Sequence, residues 1–300
     1  MSHIVQSSPS WPCRARESTE RVNVASLREA LVGIRFADVR WVAETGSTNA
    51  DVLALARNGA PEGVVLVADH QTAGRGRRDR TWLAPPGSSL LVSVLLRPRV
   101  TLAPAATMAT AVAMAEAVEQ AAGASPTLKW PNDLVVDDRK LAGILAEADW
   151  PAGSTISAGW RAPASYERVP LVVGIGLNVT WPGDGPASDL PEELAALGET
   201  ATALNWLGAI ADRVELLVAF LRRLEVRYDE LVRSGSPAAT LEVWRRRSAT
   251  LGRRVRVDLG ADEVEGTAVD VTDEGHLVVD TLEGDRRTLA VGDVVHLRPT

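Results

Sequence analysis

Apolar residues recur at three- and four-residue steps over one long stretch. Leu204, Leu207, Ile210, Val214, Leu217, Leu221, Leu224, Tyr228 and Leu231 fall on one face, which predicts an amphipathic helix over about 202–232. A second helix is expected over 101–122, rich in alanine and ended by Gly123, with Met108 and Met114 as core filler. Shorter helices are expected at 26–34 and from Ser236-Pro237 to about residue 247. A helix is also expected after Ser47-Thr48-Asn49, where Thr48 and Asp51 form a capping-box pattern and Gly59 is placed to stop the helix. Apolar runs of strand length occur at 38–44, 63–69, 89–96, 140–147 and 171–179. A further run at 128–136 is interrupted by Pro131, which implies an edge or a bend. A short strand is expected at 154–160.

After about residue 248 the pattern changes. Short β runs at 254–258, 264–271, 276–281, 286–291 and 294–297 are separated by Asp273-Glu274-Gly275, Glu283-Gly284-Asp285 and Gly292-Asp293. Such spacing predicts a small β-barrel. The expected organisation is a disordered tail at 1–22, a catalytic domain at 23–247 and the small barrel at 248–300. The fold class is α/β (α+β): a mixed β-sheet with packed helices, followed by the barrel.

Composition narrows the function. The net charge of −7 argues against a general nucleic-acid binder. The one cysteine, Cys13, allows no intrachain disulfide and no thiolate zinc site, as expected of a cytoplasmic protein. No signal-peptide pattern is visible, and the uncharged run at 102–115 is too short to span a bilayer, so no membrane partner is expected.

Against this acidic background, Arg75, Arg77, Arg78 and Arg80 crowd into six residues with Gly74 and Gly76 beside them. Glycine lets a backbone pass close to a ligand, and arginine offers a planar fork of donors that suits carboxylate and phosphate. The loop lies between two buried strands, as binding loops on a rigid scaffold do. Lys140 opens a later strand, where its stem can be walled in while its ammonium enters a pocket. A clamp of this kind suits two anions that must be brought together despite their repulsion, a carboxylate and a polyphosphate. The Gly174-Ile175-Gly176 run lacks a third glycine and a following helix, so it is not a dinucleotide fingerprint, and no Walker A sequence occurs. Of His3, His70, His276 and His296, only His70 lies near the loop in sequence, so acyl-enzyme chemistry is not expected.

Ser47-Thr48-Asn49, then 71–78 (Gln-Thr-Ala-Gly-Arg-Gly-Arg-Arg), then Lys129-Trp130-Pro131-Asn132-Asp133, then Arg139-Lys140-Leu141-Ala142-Gly143-Ile144-Leu145, then Gly174-Ile175-Gly176-Leu177-Asn178 together resemble the biotin–protein ligases. The resemblance runs from about residue 38 to the C-terminus and includes the barrel, expected to be SH3-like. It implies that biotin and MgATP form biotinyl-5′-AMP, whose acyl group passes to a lysine of a biotin carboxyl carrier domain, as in acyl-CoA or pyruvate carboxylase. The resemblance carries roles to particular residues. Ser47, Thr48, Asn49 and Gln71 would bind the ureido ring, and Gly143, Gly174 and Gly176 would line a narrow biotin slot. Arg75, Gly76 and Arg77 would meet biotin and the adenylate, on a loop that orders when ligand binds. Lys140 would contact the reacting carboxyl and phosphate oxygens, making Lys140 and Arg77 the catalytic pair. Lys129, Asn132, Asp133 and Asn178, with Arg75, Arg78 and Arg80, would serve the nucleotide, Trp130 would pack in the core, and no protein metal site is expected.

The chain has only a short stretch before the catalytic region, so it resembles the monofunctional type without a DNA-binding domain, and DNA is not an expected partner. A monomer or weak homodimer is expected, with an exposed sheet edge open to a second copy or the carrier. A lipoate–protein ligase with the same adenylate chemistry, or a non-catalytic biotin sensor, are the rival readings.

Overall fold

Strands whose residues are apolar on both sides need cover on both faces, and this chain supplies it with helices. The computed structural model describes residues 24–78, 80–148, 167–185, 190, 192–195, 197–260 and 262–297. The tail expected at 1–22 and the strand expected at 154–160 lie outside them.

After α1 (Val24–Ala30), β1 (Asp38–Thr45), α2 (Thr48–Arg57) and β2 (Val64–Gln71) form a parallel β-α-β unit. Then come β3 (Ser89–Leu96), α3 (Ala103–Ala122), β4 (Thr127–Lys129), β5 (Asp133–Val136), β6 (Arg139–Ala148) and β7 (Leu171–Asn178). These make one mixed seven-stranded sheet in the order β1-β2-β3-β7-β6-β5-β4. The interrupted run at 128–136 is a hairpin, β4 against β5, turning at Trp130-Pro131-Asn132.

The two-residue period sorts the side chains of β2. Val65 and Val67 join the main core with α3, whereas Val64 and Leu66 pack with Val52, Leu53 and Ala56 of α2 on the other face. Helix α3 continues past the uncharged run to Ala122, so by length and composition it is a helix that could cross a membrane; here it is mostly buried inside the fold. Its Glu116, almost fully buried, is held by a two-pronged pair with Arg227.

The long amphipathic stretch divides in a way its periodicity hides. After a short helix, α4 (Glu192–Ala195), a 3-10 turn at Leu204–Leu207 ends at Gly208 in the left-handed conformation, and α5 (Arg213–Ser234) starts anew. Asp212 makes the break: its carboxylate accepts from the N–H groups of Val214 and Glu215, and a fresh N-cap outcompetes continuation of the earlier turn. Ile210, expected on the buried stripe, lies almost wholly in solvent. The stripe that remains packs on α3, with Phe220 fully buried. Phe220→Ala is expected to lower stability by about 3–5 kcal/mol, read as a shifted urea midpoint.

Helix α6 (Ala238–Arg246) leads to a five-stranded antiparallel sheet, β8 (Arg254–Asp258), β9 (Glu263–Val271), β10 (Leu277–Thr281), β11 (Arg286–Leu289) and β12 (Asp293–His296), ordered β11-β10-β9-β8-β12. All five runs expected beyond residue 248 are strands.

This sheet is fastened to the first one. Trp130 donates its backbone N–H to Thr250 Oγ1 (3.0 Å) and its indole N–H to the Gly275 carbonyl (2.9 Å). Asp138, in the tight turn after β5, forms a two-pronged pair with Arg253 and lies 3.1 Å from Nδ1 of the buried His296. Arg253 holds the Asp138 carboxyl down, at about 2. Burial pushes His296 below the usual imidazole value, with Asp138 opposing. Because its folded value is depressed, His296 contributes stability that is complete above its unfolded value and is lost as pH falls below it. Between pH 7.5 and 5, the wild-type urea midpoint is therefore expected to fall further than that of His296→Gln.

Candidate active site

One cavity of about 560 Å³ opens between α2, the carboxyl ends of β2 and β7, the hairpin β4–β5, and β12. Every residue expected at the site lines it except Arg78.

At its closed end, α2 begins at Thr48 with Ser47 as the N-cap, so the cap sits one residue earlier than the Thr48–Asp51 box predicts. Ser47 makes no side-chain cap bond. The free N–H of Thr48 and its hydroxyl instead donate to Gln71 Oε1, at 2.8 and 3.0 Å. Gln71 thus satisfies a helix end that would otherwise need a cap. Asp51 is occupied elsewhere, accepting from the Thr45 hydroxyl. Asn49 donates to the Leu145 carbonyl (3.1 Å) and to Glu147 (2.7 Å), and its Oδ1 is 2.6 Å from Ser93 Oγ. Glu147 also holds Arg75, at 3.0 Å. Gly174 is needed here because a Cβ would overlap the Asn49 carboxamide. Its open face therefore serves Asn49.

The slot beside this end is flat because Gly143 and Gly176 have no side chains. The Trp82 indole lies against both: a Cβ on Gly143 would come 2.9 Å from its ring, and one on Gly176 would overlap it. The Lys140 ammonium is 5.6 Å from the centre of the same ring and 2.7 Å from Asp133 Oδ1. Backbone bonds from Lys140 N to Thr200 O (2.8 Å) and from Thr202 N to Lys140 O (2.9 Å) pin the residue at the edge of β6.

The wider end is cationic. Arg77 reaches Asn132 Oδ1 (3.5 Å) and the Gly292 carbonyl (3.3 Å). Burial lowers the proton affinity of Arg77, with Asp293 opposing, and burial does the same to Lys129, with Asp133 opposing. Asn132 is fixed by donation to the Ile144 carbonyl (2.7 Å). Asn178 donates to the Thr202 carbonyl (3.0 Å), leaving its buried Oδ1 without a partner in the protein. Arg78, expected among the nucleotide contacts, turns away from the cavity: it lies 3.3 Å from Asp293 and donates to the Asp258 carbonyl (3.1 Å). Arg80 lines the cavity but also pairs with Asp293.

Residues 43–155 match the biotin/lipoate A/B protein ligase family, and residues 250–297 match the biotin protein ligase C-terminal domain. The biotin–[acetyl-CoA-carboxylase] ligase of Mycobacterium tuberculosis is 40% identical over 286 residues, which cover 91% of this chain and 95% of that protein. The chain belongs to the biotin–protein ligase family. The bifunctional ligase/repressor BirA of Bacillus subtilis is 34% identical over 245 residues, covering 80% of this ligase and 69% of that protein. The biotin protein ligase of Aquifex aeolicus, solved in complex with biotin and ATP, has a TM-score of 0.66 at 27% identity, covering 87% of this ligase and 99% of that chain.

The cavity of this ligase also contains residues that motif reading misses. Trp82 follows the arginine loop and carries no motif signal of its own. Trp181, Leu197, Thr200 and Ala201 come from irregular segments with no periodic signal, and Asp293 read as half of a turn.

Proposed function

We propose that the ligase joins biotin to AMP and then passes the biotinyl group to one lysine of a biotin carboxyl carrier protein. The observation that carries this is the union, in one cavity, of the neutral polar end at Thr48 and Gln71 with the cationic end at Arg77, Lys129 and Lys140. Biotin has the matching form, a neutral ureido ring at one end and a carboxylate at the other. Ser47, Thr48, Asn49 and Gln71 take the ring, and the slot over Gly143 and Gly176 takes the flat body after the Trp82 indole moves aside.

The carboxylate then lies beside Lys140, Arg75 and Arg77. There a carboxylate oxygen attacks the α-phosphorus of ATP and pyrophosphate leaves. Lys140 exchanges Asp133 for the oxygens that carry developing charge, a role that pre-placed cations fill well in a water-poor site. Lys129, Asn132, Asp133, Asn178 and Arg80 face the nucleotide end. Magnesium enters with the nucleotide, as part of the substrate MgATP. In the second step the amine of the carrier lysine attacks the acyl carbon, AMP leaves, and an amide forms with loss of a proton.

The carriers best suited to this reading are those of acyl-CoA or pyruvate carboxylases. The lone cysteine supports action in a reducing cytoplasm, and the net charge of −7 supports action without DNA. The deciding experiment is transfer of labelled biotin to a carrier domain with and without MgATP, with lipoate as the competing acid. Biotin label that stays off the carrier with MgATP present, or that excess lipoate displaces from it, overturns the proposal.

A further inference from the structure

Strand β3 is apolar along its length except at Ser89 and Ser93, and Ser93 is fully buried. A hydroxyl in such a core must be paired. Ser93 Oγ faces two partners, Asn49 Oδ1 at 2.6 Å and Thr48 Oγ1 at 2.7 Å. What each group is able to donate fixes the direction of these bonds. The Leu145 carbonyl and the Glu147 carboxylate accept, so both hydrogens of the Asn49 amide are spent on them, at 3.1 and 2.7 Å. Asn49 Oδ1 is thereby turned to Ser93, and an amide oxygen only accepts. The one hydrogen of Ser93 goes to Asn49. Its oxygen is left as an acceptor for the Thr48 hydroxyl. Gly174, opposite Ser93 on β7, leaves the room in which the Asn49 carboxamide completes this chain.

This chain changes the count of acceptors at the closed end of the cavity. Gln71 Oε1 has two lone pairs, and the backbone N–H of Thr48 takes one of them. The single hydrogen of the Thr48 hydroxyl has two acceptors within reach, Gln71 at 3.0 Å and Ser93. On Gln71 it fills the second lone pair. On Ser93 it leaves that lone pair open, beside an open lone pair on Thr48 itself. We propose that Ser93 is a positioning residue that sets this polarity. It draws the Thr48 hydroxyl inward, so that Thr48 and Gln71 together present two acceptors to the paired N–H groups of a cyclic urea. An acid without such paired donors gains nothing from the arrangement, so the buried serine contributes to choice of substrate without touching it. The ligand readout rests on the function proposed above, whereas the bond between Ser93 and Thr48 is testable without any ligand.

The test uses the full chain as wild type, Ser93→Ala, Thr48→Val and the double variant. Ser93→Ala is expected to weaken biotin binding, measured by calorimetry, about five- to tenfold, the usual effect of one hydrogen bond. The KM for ATP in pyrophosphate release should stay within about twofold of wild type, since the nucleotide end is not involved. Because Ser93 acts through the Thr48 hydroxyl, adding Ser93→Ala to Thr48→Val is expected to weaken biotin by less than about twofold more. A merely structural serine would give losses that multiply. Multiplied losses, or an unchanged Kd for biotin in Ser93→Ala, would overturn the proposal. Urea midpoints of the same four proteins read the bond alone: the double variant should lose less stability than the two single variants together, and full additivity would overturn the pairing. If wild type itself binds no biotin, the proposed function fails, and the urea cycle still decides whether Ser93 and Thr48 act as a pair.

Discussion

Lys140→Ala is expected to slow biotin adenylation by roughly 10²–10³-fold, the usual cost of removing one pre-placed donor to developing charge. Lys140 suits this role because its backbone is fixed on both sides by the 200–202 segment, so its ammonium swings from a rigid base. The ion pair with Asp133 marks the place that a phosphate oxygen would take. The loss should fall on the rate of pyrophosphate release in single turnover, with biotin binding little altered, since Thr48 and Gln71, proposed to take the ureido ring, are at the other end of the cavity. Arginine should not restore the rate, because a planar fork cannot replace a compact charge at the same point. A Lys140→Ala enzyme within about tenfold of wild type would remove Lys140 from the reacting centre.

The second large effect is expected at Gly176. In Gly176→Ala the new methyl overlaps the Trp82 ring, so the slot cannot hold both. The ring is the far end of a side chain and can shift; a bicyclic ligand body against the same backbone cannot. The KM for biotin is therefore expected to rise by about one to two orders of magnitude, since overpacking a rigid site costs about 1–3 kcal/mol. The thermal midpoint should change little. If biotin bound Gly176→Ala as tightly as wild type, the ligand body would have to lie elsewhere. Gly174→Ala makes a useful contrast: its methyl overlaps the Asn49 carboxamide, so it should disturb the polar end of the cavity as well.

Much of this arrangement was legible because local rules and the tertiary structure agree. The strands at 64–71, 89–96 and 171–178 are apolar on both faces, and both faces are covered, so their runs announce them. The arginine loop, Lys140, Gln71 and the paired glycines stand out because each breaks the composition around it. Three things were hidden. The break at Gly208-Asp212 was masked by apolar residues that happen to keep helical spacing across a gap. The outward turn of Arg78 depends on Asp258 and Asp293, which lie 180 and 215 residues away in the chain. The place of Trp82 was hidden because nothing local says that an indole will lie on two glycines from β6 and β7.

That indole has a thermodynamic consequence. The slot is already filled by a group of the chain's own, so every ligand for it is a competitor of residue 82. The apparent dissociation constant of any such ligand is the intrinsic one divided by the fraction of molecules whose ring has swung clear. Affinity for the slot can thus be tuned from the loop, by changing how comfortably one side chain rests, without altering an atom that touches the ligand.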